Sequence, residues 1–354
     1  MHHLSPSPVV VVSGLNNPRQ LSLVDGVELL IAEAGKGGDT HLGEGDDALF
    51  VGATGSISAV WFPQRAANTA PHRIVTGLMS GSGEGGLGAV GSDGVSARGV
   101  GGPLYIQETW APPDVLPGPL GSTQDGQLLT ARHGALRSVA DIAAFEAAKD
   151  PDGQGFDSDP YAVLALPGGE LVADAAGNDV LWVDRRGHVS VFHVFANVTT
   201  GDCASQEDPP GFPGCNFVPT SLATDRWGNV YVGGLSSEVP GEAQVVKLDR
   251  SGQHVLRIWS GFTMVTGVAV GHDGSLYVSQ LFAEEVAPIA EGAAGVLTKI
   301  DSHGTRTNMD VPFPAGVAVD KSNNVYVSAL SISPDTGVGI PGIDTSGQVW
   351  RVRF

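Results

Sequence analysis

Val218-Pro-Thr-Ser-Leu-Ala-Thr-Asp-Arg-Trp-Gly-Asn-Val-Tyr-Val232 is the stretch whose reading decides the fold. It returns, with substitutions, as Val265-Thr-Gly-Val-Ala-Val-Gly-His-Asp-Gly-Ser-Leu-Tyr-Val278 and as Phe313-Pro-Ala-Gly-Val-Ala-Val-Asp-Lys-Ser-Asn-Asn-Val-Tyr-Val327. The matched tyrosines Tyr231, Tyr277 and Tyr326 stand 46 and 49 positions apart, a period that calls for propeller blades rather than independent domains. In each copy two apolar runs alternating at period 2 flank a polar turn, such as Asp225-Arg-Trp-Gly228, which reads as a β-hairpin. Third and fourth runs follow, as in Val245-Val-Lys-Leu-Asp249 and Val255-Leu-Arg-Ile-Trp259, so each copy is one four-stranded sheet.

With that template, copies emerge upstream. Asp159-Pro-Tyr-Ala-Val-Leu-Ala165 leads through Gly168-Gly169 to Leu171-Val-Ala-Asp174, and Asn17-Pro-Arg-Gln-Leu-Ser-Leu23 leads through Asp25-Gly26 to Leu29-Leu-Ile-Ala-Glu33. A degenerate copy pairs Gly91-Ser-Asp-Gly-Val-Ser-Ala97 with Leu104-Tyr-Ile-Gln-Glu108. The reading is an all-β chain, a single six-bladed β-propeller domain over residues 1–354, with about 59 residues per blade. An open ring would leave sheet edges free to pair with other chains, so Val9-Val-Val-Val12 is expected to supply the outermost strand of the last blade. One segment breaks the strand pattern. Ser138–Lys149 spaces Val139, Ile142, Ala143 and Phe145 like one helix face before Asp150-Pro-Asp-Gly153, which predicts a short inserted helix at 138–149.

The chain carries 19 Lys and Arg against 38 Asp and Glu, a formal charge of -19, so phosphate backbones are repelled and nucleic acid is not an expected partner. No run approaches the ~18 apolar residues of a membrane span. No basic residue precedes the N-terminal valines as in an export signal, so a cytoplasmic monomer is the expectation, with secretion as the alternative if a leader was removed. Cys203 and Cys215 are the two cysteines; lacking a second pair they do not suit zinc, and they read as a disulfide in an oxidising compartment or as two inert thiols otherwise.

Gly35-Lys-Gly-Gly38, the insert Val139-Ala-Asp-Ile-Ala-Ala-Phe-Glu-Ala-Ala148 with its Asp150-Pro-Asp-Gly153 ending, Ser158-Asp-Pro-Tyr161 and Ala173-Asp-Ala-Ala-Gly-Asn178 resemble the ScyD/ScyE family of bacterial β-propellers. That family is named for two members encoded in the scytonemin biosynthetic cluster. The resemblance runs from about Val9 to Phe354 and implies the fold and a link to specialised metabolism. The repeat alone is shared with NHL-type, strictosidine-synthase-like and lactonase-like propellers. The chain departs from the family in lacking cysteines at 38–47, and in having Gly91-Ser-Asp-Gly94 where members carry a Gly-Pro-His-Asp-like stretch.

In a propeller the innermost strand begins, and the second strand ends, at the same mouth of the central channel. Aligned blades place Arg19, Asp93, Tyr161, Thr220, Thr266 and Ala315 at the entering position, and Glu33, Glu108, Asp174, Gly234, Gln280 and Ala329 at the exit. The mouth is therefore expected to be acidic on blades one to three and neutral on blades four to six. Three readings of the acids stand side by side. Glu33, Asp93, Glu108 and Asp174 hold Ca²⁺ as in lactonase-like propellers; or a carboxylate with raised pKa acts as acid or base without metal; or the acids only cap turns and pair with Arg19 and Lys36. The expected function is that of a small-molecule-processing propeller without cofactor, a cyclase, isomerase or lyase of natural-product metabolism. Glu33, Glu108 and Asp174 are the acid/base candidates, with Arg19, Asp93, Tyr161, Thr220, Thr266 and Gln280 as the substrate-binding ring. The alternatives are a non-catalytic ligand- or protein-binding propeller and a Ca²⁺-dependent hydrolase.

Overall fold

The computed structural model of the chain describes residues 7–43, 48–109, 123–132, 135–282, 295–337 and 345–354. Three four-stranded antiparallel sheets follow one another in sequence order. They are β11 (Pro160–Leu166), β12 (Gly169–Asp174), β13 (Asp179–Asp184) and β14 (Val189–Val194); β15 (Pro219–Thr224), β16 (Val230–Gly234), β17 (Ala243–Leu248) and β18 (Val255–Phe262); and β19 (Val265–Val270), β20 (Leu276–Gln280), β21 (Val296–Ile300) and β22 (Arg306–Asp310). A fourth joins β23 (Val317–Val319), β24 (Val325–Ala329) and β25 (Gly347–Val352) to β1 (Val9–Leu15), which lies antiparallel at its outer edge. The N-terminal valines thus meet the C-terminal strand.

The rest of the chain forms one nine-stranded sheet: β2 (Pro18–Val24), β3 (Glu28–Glu33), β4 (Thr40–Leu42), β5 (Leu49–Trp61), β6 (Arg73–Ser82), β7 (Val90–Ala97), β8 (Leu104–Glu108), β9 (Gln127–Arg132) and β10 (Ala135–Asp141). Four separate sheets and one fused one therefore stand where six equal ones were expected. The fusion is local. β6 runs past its expected end and pairs with β7 only at Ser80–Gly91 and Gly81–Val90. Gly91 permits this, because a Cβ there would sit 2.2 Å from the Met79 carbonyl oxygen.

Innermost strands pack side by side in a closed order, β2 beside β7, then β11, β15, β19, β23 and β2 again. Burial falls outward: β12, β16, β20 and β24 are buried throughout, whereas β18 and β22 are largely exposed. This all-β propeller has its core between sheets, as where Tyr231 and Val245 meet Val268 and Val278, and Tyr277 and Leu297 meet Val317 and Val327. The aspartates that open several strand-to-strand turns have a local cause. Asp225 Oδ1 accepts the Trp227 and Asn229 amides, and Asp301 and Asp320 repeat the arrangement.

The inserted helix is α1 (Ile142–Lys149), not 138–149. Residues 138–141 finish β10, and Asp141 caps the helix by accepting the Ala144 amide at 2.8 Å. Cys203 and Cys215 form a disulfide. No helix among the described residues is long and apolar enough to cross a membrane.

Candidate functional site

Five of the six inner strands carry a bulge at their start, between Pro18 and Leu21, Ser92 and Gly94, Pro160 and Ala162, Pro219 and Ser221, and Val265 and Gly267, while β23 pairs with β24 in plain register. The residues within these bulges are Arg19 with Gln20, Asp93, Tyr161, Thr220 and Thr266, the entering positions of the repeat. A bulge leaves a residue outside the ladder and re-aims its side chain. Opposite them, Glu33, Glu108, Asp174, Gly234 and Gln280 pair with Pro18, Ser92, Pro160, Pro219 and Val265, at the same end of every sheet.

Several of these side chains are consumed by the ring itself. Thr220 Oγ1 donates to the Val265 carbonyl at 2.6 Å, Thr266 Oγ1 to Pro314 at 2.9 Å, and Ser328 Oγ to Arg19 at 2.7 Å, so hydroxyls fasten neighbouring sheets together. Gln280 accepts the Thr263 amide and donates to Thr298. Glu33 is fully buried and accepts from the Asn16 amide, the Ser58 hydroxyl and both Nε and Nη2 of Arg73, the closest at 2.6 Å. It is a held carboxylate, with no oxygen left for chemistry. Gln20 reaches across the axis and donates to the carbonyls of Thr220 at 2.9 Å and Thr266 at 2.8 Å.

A different set converges. Arg19 Nε lies 3.2 Å from Asp93 Oδ1, an ion pair whose angle falls short of a hydrogen bond, and its Nη2 donates to the Ala89 carbonyl. Asp93 is 1% exposed; burial pushes its carboxyl up to about 7, with Arg19 opposing and Asp159 reinforcing the rise. Glu108 is 0% exposed and neither of its oxygens has a well-aligned hydrogen-bond partner; the Ser92 hydroxyl beside it donates to the Glu33 carbonyl and only partly opposes the rise of the Glu108 carboxyl. Burial first, then the Asp93 charge, raises its pKa well above the carboxylate range. Half-buried Asp159 accepts from Thr109 Oγ1 and is likewise raised by burial. The half-buried Tyr161 phenol is raised by burial and shares the field of Arg19, Asp93 and Asp159.

Asp174 does not join this group. Its oxygens accept from Ser158 Oγ at 2.6 Å, the Asp159 amide at 2.7 Å and the Gly177 amide at 3.2 Å, while burial lifts its carboxyl to about 7. Glu33, Glu108 and Asp174 are thus equivalent in the repeat but sit in three separate local environments. Asp159 and Thr109 are not among the residues the repeat singles out, although Thr109 is one residue from Glu108 and Asp159 two from Tyr161. The far side of the same mouth is apolar: Met264, Phe282, Phe313, Leu330 and Ile332 cluster with Leu235 and Leu281. The two best-defined cavities of the described residues, about 580 and 670 Å³, lie at the opposite end of the ring, one around Trp227, Trp259 and His272, the other around Tyr105, Arg137 and Glu170.

No family model and no curated protein matches the sequence. Solved structures do match in shape. A streptogramin B lyase superposes with a TM-score of 0.51 at 9% identity, covering 98% of this chain and 97% of that one. A virginiamycin B lyase from Staphylococcus aureus gives 0.47 at 10% identity, with 98% of each covered, and a chain of a nidogen–laminin complex gives 0.49 at 12%, with 80% of this chain and 85% of that one covered. At these identities the likeness is one of fold, the β-propeller.

Proposed function

We propose that this chain is a six-bladed propeller that processes a small organic molecule at the acid-bearing mouth, by cofactor-independent proton transfer of the cyclase, isomerase or lyase kind. The blade count rests on the six inner strands of the closed order and on the two-pair junction that fuses β6 to β7, which makes the nine-stranded sheet two blades joined at a corner. The tie to specialised metabolism rests on the ScyD/ScyE resemblance alone.

One observation carries the chemical reading: Glu108 is a buried carboxyl with no well-aligned hydrogen-bond partner, next to Asp93. Two carboxyls whose surroundings pull their pKa values apart are the arrangement from which acid and base roles arise. Glu108, whose carboxyl burial raises well above its ordinary range, is the acid. Asp93, poised near 7 against the Arg19 guanidinium, is the base. Arg19 orients an anionic or carbonyl group of the ligand, Tyr161 offers a ring face, and the Met264–Phe313 side holds apolar surface. Carboxylates at the mouth that a Ca²⁺ ion would need already face cations, Glu33 with Arg73 and Asp93 with Arg19, which weighs against the hydrolase reading. The Cys203–Cys215 disulfide favours an oxidising compartment over the cytoplasm.

A binding role without turnover is the second reading, resting on the apolar side of the mouth at Met264, Phe282 and Phe313, because Thr220, Thr266 and Gln280 spend their polar atoms on the protein itself. The two part on one experiment. Small-molecule extracts of the source cells are incubated with wild-type protein and with Glu108→Gln, and products are followed by mass spectrometry. A product whose rate falls about 10²–10⁴-fold in Glu108→Gln, with substrate affinity kept, supports catalysis. A compound retained unchanged by both proteins supports binding.

A further inference from the structure

Away from the mouth, a run of carboxylates gathers where α1 leads into the sheet of β11–β14. Glu146 lies on α1, Asp150 follows its C-terminus with φ 43°, Asp152 sits in the loop beyond, Asp174 ends β12 and Asp179 opens β13. One oxygen from each of Glu146, Asp150 and Asp152 lies within 4.8 Å of the other two. That is the widest separation two oxygens can have when both touch one ion at about 2.4 Å. Asp179 opens β13 outside that set of three, and the charges of Asp174, Glu146 and Asp152 reach it.

What separates this cluster from an ordinary acidic surface is its orphaned oxygens. Glu146 and Asp179 are both 0% exposed, and none of their four carboxylate oxygens has a hydrogen-bond partner. Native structures leave few buried polar atoms unsatisfied, and the two oxygens of Glu146, inside the set of three carboxylates, call for a partner. Among the described residues no ion pair reaches the cluster. Asp150 and Asp152 each hold a loop amide with one oxygen, those of Gly155 and Gln154. Asp174 is different: its three donors fix it as a framing residue, with Gly177 close to both it and Glu146.

We propose that Glu146, Asp150 and Asp152 bind one Ca²⁺ ion, which pins the end of the inserted helix to the loop that follows it. The donor set is all carboxylate, with no His or Cys, which suits a hard cation rather than zinc or copper. Three carboxylates drawn from a helix and the loop after it suit the loose coordination shell of Ca²⁺ better than the strict octahedron of Mg²⁺, and the remaining positions fall to water or backbone carbonyls. The C-terminal end of α1 adds the negative end of its dipole. This assignment is independent of the chemistry proposed for the mouth.

The test is calorimetric titration of CaCl₂ into the EDTA-stripped full chain, with thermal melting in parallel. One Ca²⁺ per chain is expected, and at a free concentration about 100 times its Kd the folded state gains roughly 100-fold over the unfolded one, a rise of about 4 °C for a chain of this length. The double variant Glu146→Gln with Asp150→Asn should lose both the heat and the rise, whereas Asp93→Asn with Glu108→Gln at the mouth should keep them. If the first double variant does not fold, Asp152→Asn, altered in the half-exposed loop, is expected to weaken binding at least about tenfold. Stripped wild-type protein with neither heat nor rise overturns the assignment. So does binding that survives loss of Glu146 and Asp150, or that disappears in the mouth variant.

Discussion

Gln20 is the residue on which the ring's axis can be tested most sharply. Its amide leaves β2 and donates to the Thr220 and Thr266 carbonyls, one at the start of β15 and one at the start of β19, on the far side of the circle. Gln20→Ala removes two buried hydrogen bonds, worth about 1 kcal/mol each, and leaves two carbonyls facing the gap, so a loss of about 2 kcal/mol is expected. Gln20→Glu keeps the shape but points an anion at two carbonyl oxygens in a site where the native side chain is nearly buried; adding the cost of an unpaired buried charge brings the loss to about 4 kcal/mol. The introduced carboxyl then has a folded pKa above its unfolded value near 4. Its protonated form can donate to one carbonyl again, so the deficit is small below that value and grows as pH rises through the folded pKa. The assay is guanidinium unfolding followed by tryptophan fluorescence at pH 5 and pH 8, comparing midpoints of the first transition. Gln20→Glu as stable as wild type at pH 8, or a deficit equal at both pH values, would refute the reasoning that this side chain bridges the axis.

Two further outcomes follow from buried charge and from closure. Asp93 and Asp174 have folded pKa values of about 7 and Glu108 lies above the carboxylate range, all three raised by burial, so their stabilising contribution is complete below pH ~4 and is lost as pH rises through about 7. A single carboxyl moved from 3.8 to about 7 is worth on the order of 4 kcal/mol across that window, and Glu108→Gln should therefore show a shallower fall in stability between pH 5 and pH 8 than wild type. Deleting the chain through Leu15 removes β1 and exposes the edge of β25. Light scattering should then show concentration-dependent association absent from the full chain, and a truncated protein that stays dispersed would argue that β1 is dispensable for covering that edge.

The three clear repeats, with their tyrosines and Asp-led turns, were enough to read the propeller, the mouth end of each strand and the insertion of a helix, because these depend on period and on turn chemistry that lie within one stretch of chain. The same alignment placed the bulged residues Arg19, Asp93, Tyr161, Thr220 and Thr266 at equivalent points. Periodicity does not say what a side chain touches. Glu33, Glu108 and Asp174 occupy one position in three repeats, yet Arg73 and Ser58 fill the shell of the first, three local donors hold the last, and Glu108 alone is left without a well-aligned partner. Helix spacing likewise announced α1, but a hydrophobic pattern at Val139 suits the end of β10 as well as a helix turn, and only pairing with β9 settled which.

What the amino-acid order determined by itself was the unit of construction: a hairpin-based sheet, repeated, with one end of every sheet alike. What tertiary structure alone decided was the company each acid keeps. Arg19 meets Asp93 across 74 positions, Gln20 meets Thr266 across 246, and Glu33 meets Arg73 across 40. The physical reason is that burial and neighbouring charge set whether a carboxyl is a held ion, a proton store or a ligand, and both are properties of the closed ring rather than of any repeat within it.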